Sequence, residues 1–284
     1  MTGILTEPVS GPNVWRDDEL ADAGCWIVRF SEEDFADFER ALADVAKKNL
    51  KDVTEIRARD FPLPHFQERI DDIVDRLEHG LGLVLLRGLP IYDRFSEVEA
   101  TIIYWGIGRH MGNLVPQNRK GDLVGQIRDL GRRGPYERAY ATNEDLGFYT
   151  DSTDFVGLMC LRPALHGGES FVASSGLLYN FVVAEHPEYL PILHKNFPTD
   201  RRSEEPPGSP AGRPCDRDDD RRNAAALAAP PARVNRTASR PARNLQVAAP
   251  RVGRRVAPAN PEVRHERWGG APLPHSSGLE GTAP

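Results

Sequence analysis

Cysteine is scarce in this chain: Cys25, Cys160 and Cys215 are the three in 284 residues, and none stands in a CxxC or other paired spacing. That pattern argues against a disulfide framework and against a cysteine zinc site, and it suits a reducing cytoplasm. No run approaches the roughly eighteen apolar residues of a membrane helix, and the opening "MTGILTEPVSGPNVW" has no basic region followed by an apolar stretch, so neither a membrane partner nor an export signal is expected. The sharpest absences lie in the last third. Residues 201–284 hold no Lys, Ile, Phe, Tyr or Met, and Trp268 is their one aromatic. They contain 15 Arg and 13 of the 24 prolines instead. Such a segment buries too little apolar surface to offset the entropy of ordering its backbone, so 204–284 is expected to be a disordered Arg/Ala/Pro-rich tail in which no strand pattern persists. Arginine without lysine, amid Ala, Pro and Gly, is also what an out-of-frame reading of a GC-rich gene produces. The chain is therefore read as truncated or frameshifted after about residue 203.

Charge divides at the same place. Residues 1–200 carry 21 Lys+Arg against 33 Asp+Glu, and residues 201–284 carry 15 against 9, so an acidic body precedes a basic tail. The tail lacks interleaved aromatics and contains "DRDDD", so no nucleic-acid partner is expected. Within the body, Ser31 with Asp34 forms a capping-box pattern before "EEDFADFERALADVAKKN", whose Phe35, Phe38, Leu42 and Val45 share a helical face. A second helix is predicted from His65, with Phe66, Ile70, Ile73, Val74 and Leu77 at helical spacing and Gly80 as a left-handed stop. "LGLVLLRGLP" reads as a short buried strand, and Ser96 caps a helix through "EVEATIIYWGIGRHMG". "DLVGQIRDLG" and "FVGLMCLRPA" read as strands, and "SSGLLYNFVVAEHPEYLPIL" as a helix carrying Leu178, Phe181 and Val182 until Pro187 interrupts it. Helices first and strands later predict an α+β protein, with helices around a mainly antiparallel sheet.

The segment that reads as a site is "LGFYTDSTD", residues 146–154, followed after a strand by "HGGES". Residues i and i+2 of an extended segment point the same way, so a His-x-Asp pair supplies two of the three ligands of a mononuclear iron site. Here position i is Tyr149, with Asp151 two residues on. From about residue 82 to 197 the chain resembles the taurine dioxygenase (TauD/TfdA-like) and clavaminate synthase-like family of Fe(II)- and 2-oxoglutarate-dependent oxygenases. The resemblance rests on "VLLRGLP", "GNLVPQNRKGDLVGQIRD", "TNEDLGFYTDSTDFVGLMCLRPALHGGESFVAS" and "LYNFVVAEHPEYL".

That resemblance implies a double-stranded β-helix (jelly roll) with flanking helices, here incomplete in its C-terminal half, spanning a partial domain at 1–203. It implies Fe(II) and 2-oxoglutarate as cofactors, a small organic molecule as substrate, and decarboxylation of the keto acid coupled to hydroxylation. Asp151 matches the family's metal-binding carboxylate, Tyr149 occupies the place of its first histidine, and Ser170 lies where a hydroxyl contacts 2-oxoglutarate. The family's second histidine and the arginine after it find no counterpart in a strand pattern: His265 stands in "VRHERW" and His275 in "PLPHSSG".

Each assignment has a plainer alternative. A phenol with an ordinary pKa of about 10 must lose a proton to bind iron, so Tyr149 is a poor ligand and can simply occupy the site beside Phe148. Asp151 can cap a turn, and Ser170 can satisfy a strand-end amide. Gly167 and Gly168 suit a tight turn; His110 and His166 are structural histidines or substitute ligands; Arg128 and Asp129 face a substrate or pair with each other. The expectation is an oxygenase by descent or a catalytically inactive relative, of undetermined oligomeric state.

Overall fold

Two capping boxes set the helical frame of the computed structural model, which describes residues 4–48, 50, 52–117, 122–127, 131, 148–149, 151, 153–164, 169–195, 244–249 and 271–272. Ser31 accepts from the amide of Asp34 while Asp34 accepts from the amide of Ser31, and this starts α1, Glu32–Ala46. Ser96 and Glu99 repeat the arrangement at the head of α3, Glu97–Met111. Between them α2, Phe66–His79, has no capping side chain of its own. Asp37 reaches across from α1 instead, and its Oδ2 accepts from the amides of His65 at 2.7 Å and Phe66 at 2.9 Å. A carboxylate at a helix N-terminus satisfies orphan donors and meets the positive end of the dipole.

The spacing of Phe35, Phe38, Ala41 and Val45 on α1 and of Phe66, Ile70, Ile73 and Val74 on α2 turns both helices onto one core, joined by Ile103, Trp105 and Ile107 of α3. Phe30, Phe35, Phe38, Phe66 and Phe95 pack there tilted or edge-on, with centroids 5.3 to 6.5 Å apart. Burying one such ring is worth roughly 1.5–3 kcal/mol. Gly106 lets α3 press onto fully buried Phe61, since a Cβ there would lie 2.3 Å from the Phe61 ring. Trp105 donates its indole N–H to the carbonyl of Ile56 at 2.9 Å, so the ring's one polar atom is satisfied inside the core.

The expected left-handed stop at Gly80 is corrected. Its φ is −101°, and the left-handed residue is Gly82 at φ 74°. Glycine is needed at 80 because a Cβ would sit 2.7 Å from the Arg76 carbonyl oxygen, to which the Gly80 amide donates.

The strands are β1 (Ile27–Arg29), β2 (Leu85–Arg87), β3 (Asn113–Leu114), β4 (Gly125–Gln126), β5 (Phe155–Leu158), β6 (Phe171–Val172), β7 (Asn244–Ala249) and β8 (Ala271–Pro272). They form three small sheets: β1 with β2, β6 with β8, and β3, β4 and β5 around β7. Among the described residues every strand pairing except β6 with β8 is parallel, where a mainly antiparallel sheet was expected from sequence. The partners are separated by long connections rather than hairpins, and long connections permit parallel pairing. β1 and β2, for example, enclose α1 and α2. β2 is half-buried rather than buried, because the sheet has only two strands.

Two strands, β7 and β8, lie in the stretch where no strand was expected. β3 and β5 both pair with Leu245, and β4 and β5 both pair with Ala248. A strand has two edges, so β5 runs along one edge of β7 while β3 and β4 share the other. The architecture among the described residues is thus α+β: helices packed on one another with small sheets at their flank.

After β6, α4 spans Ser175–Glu185 and is followed by a 3₁₀ turn at Pro187–Tyr189 and by α5, Leu190–Leu193. Its buried residues are Gly176 and Tyr179 rather than Leu178 and Phe181, because the N-terminal segment lies along that side. Asn180 exchanges both amide atoms with the backbone of Val9, at 2.7 and 2.8 Å, as a neighbouring strand would. Tyr179 donates to the Leu5 carbonyl and Ser174 to that of Asn13, each at 2.6 Å.

Candidate functional site

β5 is anchored by Phe155, which is buried against the helical core, and the site segment hangs from its N-terminal end. Thr153 donates its hydroxyl to the Phe155 carbonyl at 3.1 Å and tightens that approach. Asp151 is half-buried, and burial pushes its carboxyl above the ordinary range. Phe148 and Tyr149 are 55% and 63% exposed, so the phenol ring does not fill a buried socket beside Phe148. The exposed phenol and the half-buried carboxylate are therefore in different surroundings although only one residue lies between them.

Ser170 is exposed and immediately precedes β6, whose Val172 packs on a second cluster made by Trp15, Leu20 and Trp26. Arg128, Asp129, His166, Gly167, Gly168, Cys215, His265 and His275 fall outside the described residues. His110 takes the structural reading: its Nε2 lies 2.7 Å from the Phe61 carbonyl oxygen. Cys25 and Cys160 are exposed, and among the described residues neither is in a disulfide.

A facial iron site asks for three donors on one side of the metal. Among the described residues no group of three His, Cys, Asp or Glu side chains converges as a metal site. Asp151 supplies a carboxylate whose burial is costly without a nearby cation, and Tyr149 supplies a mostly solvent-exposed phenol. The described residues do not fit a resident Fe(II).

One constellation was not anticipated from sequence. The Tyr92 hydroxyl accepts from Nε of Arg162 at 2.7 Å and donates to Glu97 at 3.0 Å, and the guanidinium carbon lies 4.7 Å from the Tyr92 ring centroid. These contacts hold the Arg162 guanidinium above its usual range, the Tyr92 hydrogen bond first among the causes. With the partners 70 positions apart in sequence, no local pattern announces the pair.

Residues 49–270 match the family described as "Taurine catabolism dioxygenase TauD, TfdA family", a span wider at both ends than the 82–197 resemblance. The chain is 36% identical over 213 residues to FR-33289 synthase of Streptomyces rubellomurinus (strain ATCC 31215), covering 74% of this chain and 62% of that protein. It is 27% identical over 193 residues to the taurine hydroxylase-like protein SAT17 of Stachybotrys chartarum (strain CBS 109288 / IBT 7711), covering 64% of this chain and 49% of that one. The chain thus spans less than two thirds of the length of the first of these curated relatives and about half of the second.

Proposed function

The chain belongs to the TauD, TfdA family of dioxygenases, and from that membership we propose that it descends from an Fe(II)- and 2-oxoglutarate-dependent oxygenase that hydroxylates a small organic molecule. The fold is proposed to be the double-stranded β-helix (jelly roll) of that family, incomplete in its C-terminal half. Asp151 is assigned as the metal carboxylate and Ser170 as the hydroxyl that meets 2-oxoglutarate. The observation that carries the reading is the family match, whose span of 49–270 includes both residues. A small substrate is in keeping with relatives named for FR-33289 synthesis and for taurine hydroxylation.

In this chain we propose further that the iron site does not work, with Tyr149 in the histidine's place as the cause. Support comes from the 63% exposure of Tyr149. A phenol holds its proton at neutral pH where an imidazole offers a lone pair, and two facial ligands bind a metal far less firmly than three. The test is ferrous-iron affinity and iron-dependent succinate release for the chain as it is and for Tyr149→His. Negligible release from the unaltered chain and tighter iron binding by the variant are expected. Substantial iron-dependent release from the unaltered chain overturns the inactive reading and leaves the working oxygenase.

A further inference from the structure

α4 buries the side that its composition would leave to water. Leu177, Leu178, Val182 and Val183 are half-buried and Phe181 is exposed, whereas Ser174 at the cap, Gly176 and Tyr179 are buried. What covers them is the N-terminal segment. Across 4–16 that segment is neither helix nor strand, and of residues 4–14 only Val9, Asn13 and Val14 are half-buried, the rest being exposed. Those three are points of contact: Asn180 exchanges two hydrogen bonds with the backbone of Val9, Ser174 donates to the Asn13 carbonyl, and a Cβ on Gly176 would lie 2.8 Å from Cγ2 of Val14. Tyr179 adds a further one by donating to the Leu5 carbonyl. Val9 packs with Tyr179 and Leu190 in a cluster separate from the core of α1, α2 and α3.

These contacts have the chemistry of peptide recognition rather than of core packing. Side-chain donors and acceptors meet the backbone groups of an extended segment, and a small apolar side chain seats beside them. The segment "EPVSGPNV" suits that part, because Pro8 and Pro12 fix their own φ and keep Glu7 and Gly11 out of the helical region, so less conformational freedom is left to lose on docking. We propose that the face of α4 made by Ser174, Gly176, Tyr179 and Asn180 is a binding site for an extended, proline-bearing peptide, and that residues 5–14 are its resident ligand, a strap that holds α4 in place. A ligand on the same chain is present at an effective concentration on the order of millimolar, so it masks the site from the same sequence offered free. Neither iron nor 2-oxoglutarate takes part.

The test uses the full chain with Val9→Pro, which removes the amide that donates to Asn180, with Asn180→Asp, which keeps the size of the side chain but loses its donor, and with both. Amide hydrogen exchange is read in peptides covering 4–14 and 175–185, with α1 and α2 as internal controls. Either single change is expected to speed exchange in both stretches by about tenfold, the scale of two ordinary hydrogen bonds, and to leave α1 and α2 as they were. The double variant should be no worse than the worse single one, because both changes break the same contact. A fluorescently labelled peptide with the sequence of residues 4–14 is then titrated against each chain. It should bind Val9→Pro about tenfold more tightly than the parent, whose site is occupied, and bind the double variant about tenfold more weakly than Val9→Pro.

Unchanged exchange at 175–185 in both single variants overturns the strap, since α4 is then held without residues 5–14. A rise in α1 and α2 as large as that in α4 overturns it as well, because the segment is then part of the core. Effects that add in the double variant overturn the pairing of Val9 with Asn180 on which the site is built. A peptide that binds Val9→Pro no better than the parent, or binds the double variant as well as Val9→Pro, overturns the binding site.

Discussion

Asp151 shows how one residue's surroundings set two of its properties. Burial disfavours the charged carboxylate, and this raises its pKa. A group whose folded pKa exceeds its unfolded value takes up a proton on folding between the two. Its contribution to stability is therefore fully present below the ordinary aspartate value of about 3.9 and is lost as pH rises through the raised value. At neutral pH the ionised carboxylate is a burden on the fold, and Asp151→Asn should relieve it. Thermal melts across pH 3.5–7.5 should show the variant as stable as the parent or more so at pH 7, with the gap closing as pH falls towards 4. A variant less stable at pH 7, by a margin that grows with pH, would mean that the carboxylate is held by favourable partners instead. Tyr149, mostly in solvent, carries no such burden and gives the fold no comparable reason to place it.

Among the elements, α2 depends on a residue that is not its own. Asp37 is fully buried, accepts two amides at the head of α2 and pairs with Arg40. Asp37→Ala should leave the amides of His65 and buried Phe66 without an acceptor, at a cost of about 1–3 kcal/mol. Asp37→Asn keeps one acceptor oxygen and should lose less. Urea unfolding with unchanged slope but a lower midpoint would record both; equal midpoints for Asp37→Ala and the parent would show that water satisfies those amides. The contrast with α1 and α3 explains which parts of the fold the sequence could reveal. Their capping boxes lie within four residues, so Ser31 with Asp34, and Ser96 as the cap of α3, were legible in the chain. Asp37 acts 28 and 29 residues away and Arg162 acts 70 away, and neither distance leaves a periodic trace. The family was legible through several ordered segments taken together. The site was legible only as far as Tyr149, Asp151 and Ser170 could be matched to it, because what surrounds them comes from elsewhere in the chain.

For the whole molecule, the question is what holds the sheet beside the helical core. β3, β4 and β5 are short, and among the described residues each is paired with β7 and with no other strand. Composition argues against order in 204–284, since a tail so poor in large apolar residues gains little by folding alone. Backbone hydrogen bonds to strands already anchored by Phe155 and the core of α1, α2 and α3 supply what composition lacks, because the ladder is made by backbone groups that every residue except proline carries in full. Val247 is paired with Gly157 near the middle of β5. Val247→Pro removes a ladder donor and adds a ring that a central strand does not accommodate. Amide exchange at Phe155–Leu158 should then rise well above the parent rate, while exchange in α1 and α2 stays as it was. Stripped of its partner, β5 would present an open edge next to exposed Val156 and Leu158, and the variant should associate at lower concentration than the parent, as light scattering would register. If β5 exchanges at the same rate in both proteins, β7 is not what closes this sheet in solution. The strands before residue 160 must then be held from the helical side alone, with the tail as loosely attached as its composition suggests.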